Sequence, residues 1–244
     1  MKKACVYTVA DNKNLPYFTA FRNSLRKWHP EEELDILLVK EEEVTRIRDK
    51  DFYYRAKPII GSQLWGKYET LIGMDCDQIV CGDISPLWTE GGYDVGCVYN
   101  SNPREAKEVQ AQVWDIPHHE YLNAGLVVIK NERFLRHWLG LCHSPHFERY
   151  QYREQDLLNI LVYYGDYVTK VLDVGPNFWG LASKGYWNQI ELRDNQLVLP
   201  KNSEYPQTDK IIKVIHWAGG NTVKMNFRAF FKEKEAEWLE NLVK

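Results

Sequence analysis

The chain has 244 residues, with 34 Asp and Glu against 31 Lys and Arg, and a formal net charge of −3. This balance leaves no basic stripe of the kind that nucleic-acid-binding proteins carry, so we expect no nucleic-acid partner. Hydrophobic residues make up 44% of the chain, enough for a substantial core. The length suits one large α/β domain better than two small ones.

The cysteines and the amino terminus bear on location. The five cysteines form no C-x-x-C pair, and most lie in or beside apolar segments: Cys5, Cys76, Cys81, Cys97 and Cys142. We interpret them as reduced, buried thiols of a cytoplasmic protein, which argues against a zinc site. The first apolar run is too short for a signal peptide, and no run of about 18 apolar residues follows. Contact with a membrane surface is left open.

The first forty residues alternate between strand and helix patterns. The apolar run at residues 4–10 predicts a buried strand, and residues 34–39 predict a second. Between them, apolar residues recur at helical spacing at Phe18, Phe21, Leu25 and Trp28. The dipeptide His29-Pro30 ends this helix. A strand–helix–strand opening predicts a parallel sheet with crossover helices.

The middle of the chain continues this alternation. Charged residues 41–51 form a solvated helix or loop, and residues 68–74 form a strand. The dipeptide Ser85-Pro86 is typical of a helix start. Further strands are predicted at residues 93–100 and 124–131, separated by a polar, irregular segment at 101–118. A helix follows, with Phe134, Leu135, Trp138 and Leu141 on one face.

The last third of the chain mixes helix, strand and hairpin patterns. Residues 153–165 begin acidic and become apolar, as a helix often does, and residues 167–175 predict a strand. Residues 190–199 predict a hairpin that turns at Asp194-Asn195. A last strand ends at His216, and residues 227–243 predict an amphipathic helix that packs on the protein rather than on a membrane.

Two carboxylates, Asp75 and Asp77, stand one residue apart after the strand at residues 68–74. In an extended segment residues i and i+2 point to the same side, so we expect both to face one point. Parallel sheets place ligands at this carboxyl edge. A hard divalent cation that also holds substrate phosphates offsets the repulsion between the carboxylates. A turn with capping carboxylates is the alternative.

His216 also ends an apolar run, at residues 211–215, and Gly219 and Gly220 follow it. A lone histidine is more often an ordinary surface or core residue, but here it would complete an Asp/Asp/His set. An imidazole among oxygen ligands shifts the expected metal from Mg²⁺ toward Mn²⁺. The glycines allow backbone N–H groups to approach a phosphate, and Lys224 supplies a counter-charge.

Five ordered blocks resemble the nucleotide-sugar-dependent glycosyltransferases of the GT-A fold, most closely family 8. These blocks are residues 6–30, the Asp-x-Asp block at 54–88, the Asn-Ala-Gly block at 121–131, the acid-Gln-Asp block at 153–161 and the His-x-x-Gly…Lys block at 214–224. The resemblance implies an α/β fold: a single GT-A-type (Rossmann-like) domain over residues 1–244, with a mixed, mostly parallel central sheet flanked by helices. Residues 1–100 would form the nucleotide-sugar-binding half, and residues 101–244 the acceptor-side half with the closing block and the C-terminal helix.

The resemblance also implies roles for individual residues. By this resemblance the metal ligands would be Asp75, Asp77 and His216. The base and ribose site would be lined by Thr8, Val9, Ala10 and Asp11, with Tyr17 nearby. The nucleotide or its phosphates would contact Arg55 and Lys57, and Cys76 would belong to the donor site. The donor sugar is surrounded by Asn123, Ala124, Gly125, Glu154, Gln155 and Asp156, and the catalytic candidates are Asn123, Gln155 and Asp156. The diphosphate contacts Gly219 and Lys224.

Several of these residues also have ordinary structural explanations. Tyr17 suits a core position at a helix start, and Arg55 and Lys57 suit a charged surface. Asn123 suits a turn, and Asp156 suits a helix cap.

The chain departs from the family pattern at two places. The closing block reads VKMN where the family continues Lys-Pro-Trp, and Lys224 stands eight residues after His216. Asn100 stands where some relatives carry Asp.

The activity that the resemblance implies is metal-dependent transfer of a hexose from a UDP-sugar to an acceptor hydroxyl, with retention at the anomeric carbon. Because an amide such as that of Gln155 is a poor nucleophile, we expect a same-face displacement in which the leaving phosphate helps take the acceptor proton. The segment at 101–118 is expected to close over the donor. Trp-bearing loops at 176–180 and 185–189 form an acceptor platform or pack on the core. The acceptor can be a glycan, lipid, protein or small molecule.

Three other classes of protein are alternatives. A haloacid-dehalogenase-type phosphatase also uses Asp-x-Asp after a strand, but its motif usually lies near the amino terminus. A sugar-1-phosphate nucleotidyltransferase requires a Gly-rich basic loop after the first strand, which TVADNKNLP is not. A non-catalytic nucleotide-sugar-binding protein is the remaining alternative.

Overall fold

The computed structural model describes residues 2–10, 14–40, 52–100, 116, 120–145, 147–174, 187–201, 208–216 and 226–244. The predictions for residues 41–51, for the loop at 176–180 and for all of residues 101–118 except Ile116 lie outside this part of the chain.

The strands, in chain order, are β1 (Lys2–Ala10), β2 (Asp35–Lys40), β3 (Tyr68–Met74), β4 (Gln78–Val80), β5 (Val95–Tyr99), β6 (Leu122–Ile129), β7 (Thr169–Val171), β8 (Glu191–Arg193), β9 (Gln196–Leu199), β10 (Lys210–Ile212) and β11 (Val214–His216). The α-helices are α1 (Leu15–Trp28), α2 (Phe52–Leu64), α3 (Pro86–Thr89), α4 (Glu132–Cys142), α5 (Glu154–Tyr164) and α6 (Glu233–Val243). Short 3₁₀ turns lie at Phe147–Arg149 and Phe227–Ala229.

Within the part of the chain that the structure describes, six strands form the central sheet in the order β2-β1-β3-β6-β5-β7. Strands β1, β2 and β3 are mutually parallel, as are β5 and β7, while β6 runs antiparallel to β3 and β5. The sheet is therefore mixed and mostly parallel, as predicted. The carboxyl ends of β1 and β3 meet at one edge, since Tyr7 pairs with Gly73 and both strands leave the sheet a few residues later.

Apolar side chains fill both faces of this sheet. Helices α2, α4 and α5 cover one face, and Phe134 and Trp138 of α4 are fully buried there. Helix α1 covers the other face with Phe21 and Leu25. Burial of a side chain of this size contributes about 1.5–3 kcal/mol. Helix α4 begins with a side-chain cap, because the Asn131 side chain accepts a hydrogen bond from the Phe134 N–H. The predicted helix start at Ser85-Pro86 is confirmed, since α3 begins at Pro86.

The carboxyl-terminal part forms two small sheets, β10-β9-β8 and β11-β4. The predicted hairpin is confirmed, and its turn residues Asp194 and Asn195 have φ of 46° and 62°. The predicted last strand is divided at Lys213, because β10 pairs with β9 whereas β11 pairs with β4. The predicted final helix is likewise divided into a 3₁₀ turn and α6.

Besides the apolar side chains on the two faces of the central sheet, a further apolar cluster lies between these small sheets and α6. Trp187, from the second predicted Trp loop, is fully buried there, and its ring packs edge-on at 4.7 Å from Phe231. It therefore packs in the core instead of forming an exposed platform. Within the described residues, no helix is both long and apolar enough to span a membrane.

Candidate active site

The two predicted metal-binding carboxylates lie on a tight turn between β3 and β4. The Gln78 N–H donates to the Asp75 carbonyl over 3.3 Å, and the Asp75 N–H donates to the Gly125 carbonyl over 2.9 Å. The sequence analysis expected an extended segment here, and the structure shows a turn instead. The carboxylates still converge, because the turn folds Asp77 back toward Asp75.

His216 is brought to this turn by the pairing of β11 with β4, in which it lies opposite Gln78. Its Nε2 atom is 3.4 Å from Oδ2 of Asp75 and 3.3 Å from Oδ1 of Asp77. One ligand atom from each of the three residues lies within 4.8 Å of the others. The sequence prediction that these residues meet is correct in its geometry.

Gly125 of β6 provides the space for the imidazole. A Cβ atom at this position would lie 2.3 Å from Cε1 of His216 and 2.6 Å from Oδ1 of Asn123. Neither neighbour is free to move, because Asn123 Oδ1 accepts the Gly125 N–H and His216 is buried. Only glycine fits here without displacing the ring.

Lys57 of α2 lies beside the same cluster, and its ammonium group pairs with Oδ1 of Asp75. The Tyr7 hydroxyl fixes the backbone of Lys57 by donating to its carbonyl over 3.0 Å. The hydroxyl fits here because Gly73 has no side chain: a Cβ atom at Gly73 would lie only 3.0 Å from it. The cleft therefore holds the partly buried ammonium group of Lys57 next to the carboxylate of Asp75.

The charges of the cluster shift one another's titration. Burial alone lowers the pKa of His216, but the charges of Asp77 and Asp75 raise it to about 9. Burial opposes ionisation of Asp75, but Lys57 and His216 hold its pKa well below the usual range. Asp75 is therefore a carboxylate at neutral pH, which is the form that binds a cation.

The first turn of α5 forms the opposite wall. Oε1 of Gln155 accepts hydrogen bonds from the Asn123 amide at 3.0 Å and from the Ala124 N–H at 2.9 Å. Since the backbone N–H can only donate, this contact fixes which side of the Gln155 amide is oxygen. The Oε2 atom of Glu154 is buried and has no hydrogen-bond partner within the described chain. Burial raises the pKa of Glu154 well above its usual value, and the charge of Lys57 opposes this.

Asp156 lies behind this wall and is fully buried. Its carboxylate accepts the Tyr121 hydroxyl at 2.6 Å and the Tyr152 N–H at 2.9 Å. The contact to Tyr152 is of the kind that a helix-capping carboxylate makes, which agrees with the structural explanation for Asp156.

These groups enclose a cleft of about 260 Å³. Of the predicted residues, those that line it are Lys57, Asp75, Asp77, Asn123, Ala124, Gly125, Glu154, Gln155 and His216. Tyr53 and Tyr54 also line it and were not predicted. Their spacing to Lys57, four and three residues along one helix, was the signal that they share its face.

Other predicted residues do not belong to the cleft lining. Thr8 and Ala10 are buried at the end of β1, and Val9 is half-buried. Tyr17 is partly buried, and burial followed by the charge of Asp77 raises its pKa.

Two further predicted residues, Arg55 and Cys76, do not belong to the cleft lining either. The Arg55 guanidinium carbon lies 4.2 Å from the centre of the Phe147 ring. The Cys76 thiol is buried, and burial raises its pKa. Asp11, Gly219 and Lys224 lie outside the described residues.

The donor set suits a hard divalent cation. Two carboxylates and one imidazole match Mn²⁺ or Mg²⁺ in ligand type, and the convergence of their atoms leaves room for one ion. The position at the carboxyl edge of parallel strands is where α/β sheets bind ligands.

Three of the solved structures that share the fold are glycosyltransferases. The galactosyltransferase LgtC, solved with donor and acceptor sugar analogs, aligns with a TM-score of 0.68 and 17% identity over 98% of this chain and 95% of its own. The bifunctional glycosyltransferase WbbM aligns with a TM-score of 0.64 and 16% identity over 99% of this chain and 50% of its own. The glycosyltransferase GlyE of Streptococcus pneumoniae aligns with a TM-score of 0.58 and 14% identity over 100% of this chain and 60% of its own. At these identities the likeness establishes the GT-A fold.

The sequence comparisons establish the family. No sequence among the curated proteins matches the chain. The model of glycosyl transferase family 8 matches residues 2–224, which is most of the chain and includes all five blocks. Together with the Asp75–Asp77–His216 cluster, this match shows that the protein belongs to glycosyl transferase family 8.

Proposed function

We propose that this glycosyltransferase moves a hexose from a UDP-sugar to an acceptor hydroxyl with the help of Mn²⁺ or Mg²⁺. The observation that carries the proposal is the convergence of Asp75, Asp77 and His216 at the mouth of a polar cleft. Family membership supports the transferase class and removes the phosphatase alternative.

Asp75, Asp77 and His216 would hold the metal. When bound, the metal supplies a Lewis acid that stabilises the negative charge on the departing diphosphate. Lys57 adds positive charge next to it, since its ammonium group already contacts Asp75. We keep Thr8, Val9, Ala10, Asp11 and Tyr17 as the proposed base and ribose site, Arg55 and Cys76 as donor contacts, and Gly219 and Lys224 as diphosphate contacts.

The sugar is proposed to lie against the first turn of α5 and the start of β6. Oε2 of Glu154 lacks a partner among the described residues and would accept a hydrogen bond from a sugar hydroxyl. Asn123 and Gln155 are hydrogen-bonded to each other and hold this surface rigid. Asp156 would act indirectly, because its carboxylate is fully buried and is bonded to the Tyr121 hydroxyl and the Tyr152 N–H.

We propose retention of configuration by a same-face displacement. Among the described residues that line the cleft, the carboxyl groups are those of Asp75, Asp77 and Glu154. Asp75 and Asp77 would bind the metal. Burial raises the pKa of Glu154 well above its usual value, which favours the neutral acid, a poor nucleophile. Gln155 is proposed to lie beside the sugar, and its amide is a poor nucleophile. NMR of the product tests this point, and an inverted anomeric centre would overturn the proposed mechanism.

The first experiment is calorimetry of UDP binding with and without Mn²⁺. We expect native protein to bind UDP only with Mn²⁺, and Asp77→Ala to lose at least about 100-fold in affinity, since ligand loss exceeds the effect of outer-sphere changes. Asp166→Ala, an exposed carboxylate on the surface, is the matched control and should bind like the native chain.

The outcomes separate the alternatives. Metal-independent binding, or equal affinity in Asp77→Ala, would overturn the metal site. Binding of a UDP-sugar with no release of UDP for any acceptor would favour the non-catalytic binding protein. A panel of UDP-sugars then identifies the donor, and acceptor classes are tested as glycan, lipid, protein and small molecule.

The proposed location is the cytoplasm. All five cysteines are free and buried, which suits a reducing compartment.

A further inference from the structure

Arg153, directly before α5, has a backbone conformation that L-residues rarely adopt, with φ 49° and ψ −118°. Among the described residues other than glycine, only Asp194 and Asn195 share a positive φ, and they form a hairpin turn. The Gln155 N–H donates to the Tyr152 carbonyl over 2.9 Å. These angles and this bond define a type II′ turn with Arg153 at the position that glycine normally occupies.

Two contacts of the Arg153 side chain with Phe147, together called the clamp, compensate for this conformation. Its guanidinium carbon lies 5.5 Å from the centre of the Phe147 ring, and Nη1 is 3.4 Å from the Phe147 carbonyl. Phe147 is fully buried, so it is a fixed support. A strained backbone persists only where its surroundings hold it, and such residues cluster at functional sites.

The Phe147 ring also contacts Arg55 at 4.2 Å. Arg55 belongs to α2, the helix that carries Lys57, and Arg153 precedes Glu154. One buried ring therefore supports both walls of the cleft.

The turn sets the direction of the residues that follow it. Glu154 and Gln155 line the cleft, whereas Arg153 does not belong to the described lining. Behind them, the Trp138 Nε1–H donates to the Glu154 carbonyl over 3.0 Å, and Gln155 is bonded to β6. A different backbone path at Arg153 would rotate Glu154 relative to these anchors.

We propose that Arg153 is a positioning residue for donor-sugar recognition: its clamp on Phe147 holds a glycine-type turn that aims Glu154 and Gln155 into the cleft. This inference rests on the proposed function, because it assumes that the sugar lies against these two residues.

The test compares Arg153→Ala with Arg153→Gly. Alanine loses the clamp and keeps the steric cost of the positive φ, so the turn should relax. Glycine adopts the same angles without strain and needs no clamp. Asp194→Gly is the matched control, a positive-φ substitution at an exposed hairpin.

The main readout is the ratio of the UDP dissociation constant to that of the UDP-sugar identified by the donor panel, measured with Mn²⁺. We expect Arg153→Ala to lower this ratio about tenfold while UDP affinity itself stays constant. Arg153→Gly and Asp194→Gly should stay within about twofold of native. Thermal melting should place Arg153→Gly about 2–4 °C above Arg153→Ala.

Each other outcome has a definite meaning. An unchanged ratio in Arg153→Ala, with only a lower melting temperature, shows a merely structural residue and overturns the proposal. An equal loss in both variants shows a direct ligand contact and overturns it as well. If native protein binds no uridine nucleotide, the proposed function fails and this inference falls with it, whereas failure confined to the variants overturns Arg153 alone.

Discussion

Gly125 determines whether the imidazole of His216 can approach the two carboxylates. The space that a side chain at this position would need is occupied by the His216 ring and the Asn123 amide, both of which are buried. A single methyl group at this position would therefore disturb the Asp75–Asp77–His216 cluster without changing any of its three residues.

We predict that Gly125→Ala weakens Mn²⁺ binding at least about tenfold and destabilises the fold by about 1–3 kcal/mol, as overpacked core positions do. Calorimetry of Mn²⁺ binding and urea denaturation measure the two effects. Gly140→Ala is the control, because a Cβ there meets nothing within 4 Å in helix α4. It should leave Mn²⁺ binding unchanged and stabilise by about 0.5–1 kcal/mol. Equal Mn²⁺ affinity in both variants would contradict the steric argument.

At the scale of elements, the contact between α5 and β6 holds one wall of the cleft in place. Asn159 is fully buried, and its Oδ1 accepts the Leu122 N–H at 2.8 Å. Its Nδ2 donates to the carbonyls of Leu122 and Gln155, both at 2.8 Å. One side chain thus satisfies both backbone groups of Leu122 and joins the helix to the strand.

We predict that Asn159→Ala destabilises the protein by about 2–4 kcal/mol, because the backbone groups of Leu122 stay buried without partners. Urea denaturation with a constant m-value measures the loss. Asn241→Ala, an exposed asparagine in helix α6, has the same change in helix propensity and should stay within about 0.5 kcal/mol of native. A similar small effect in both variants would show that α5 is held by apolar packing alone.

At the scale of the whole molecule, the fold should be sensitive to acid through one buried histidine. His29 ends α1, and its Nε2 accepts the Ile84 N–H at 3.1 Å, which requires the neutral ring. Burial lowers the pKa of His29 below 6.5, and the nearby carboxylates Asp83 and Glu33 oppose this only in part. Arg26 adds to the lowering, and the Trp88 ring packs edge-on at 5.0 Å.

The sign of the effect follows from proton binding. Below pH 6.5 the unfolded chain takes up a proton that folded His29 resists, so stability falls as the pH falls, by up to about 1.4 kcal/mol per pH unit. We predict that His29→Gln, whose amide oxygen can accept the same hydrogen bond, loses less melting temperature between pH 7.5 and pH 5.5 than native protein does. Parallel losses in the two proteins would show that other groups cause the acid sensitivity.

The order and type of most elements followed from the sequence because they depend on local patterns. The helical spacing of Phe21 and Leu25 and the alternation around the Asp194–Asn195 turn are properties of neighbouring residues. The Asp75–Asp77 pair was predictable for the same reason, since a polar motif directly after a buried strand lies at a sheet edge. The ordered blocks carried the family, which needs no coordinates.

Tertiary structure decided what depends on pairing between distant segments. His216 reaches the Asp turn only because β11 leaves the sheet of β10 at Lys213 and pairs with β4 instead. The space at Gly125 and the burial of Asp156 likewise depend on which segments pack together. The clamp of Arg153 on Phe147 depends on a backbone angle that no composition rule predicts for arginine. Local sequence determined the elements and the chemistry that they carry, and long-range packing decided which side chains face the cleft.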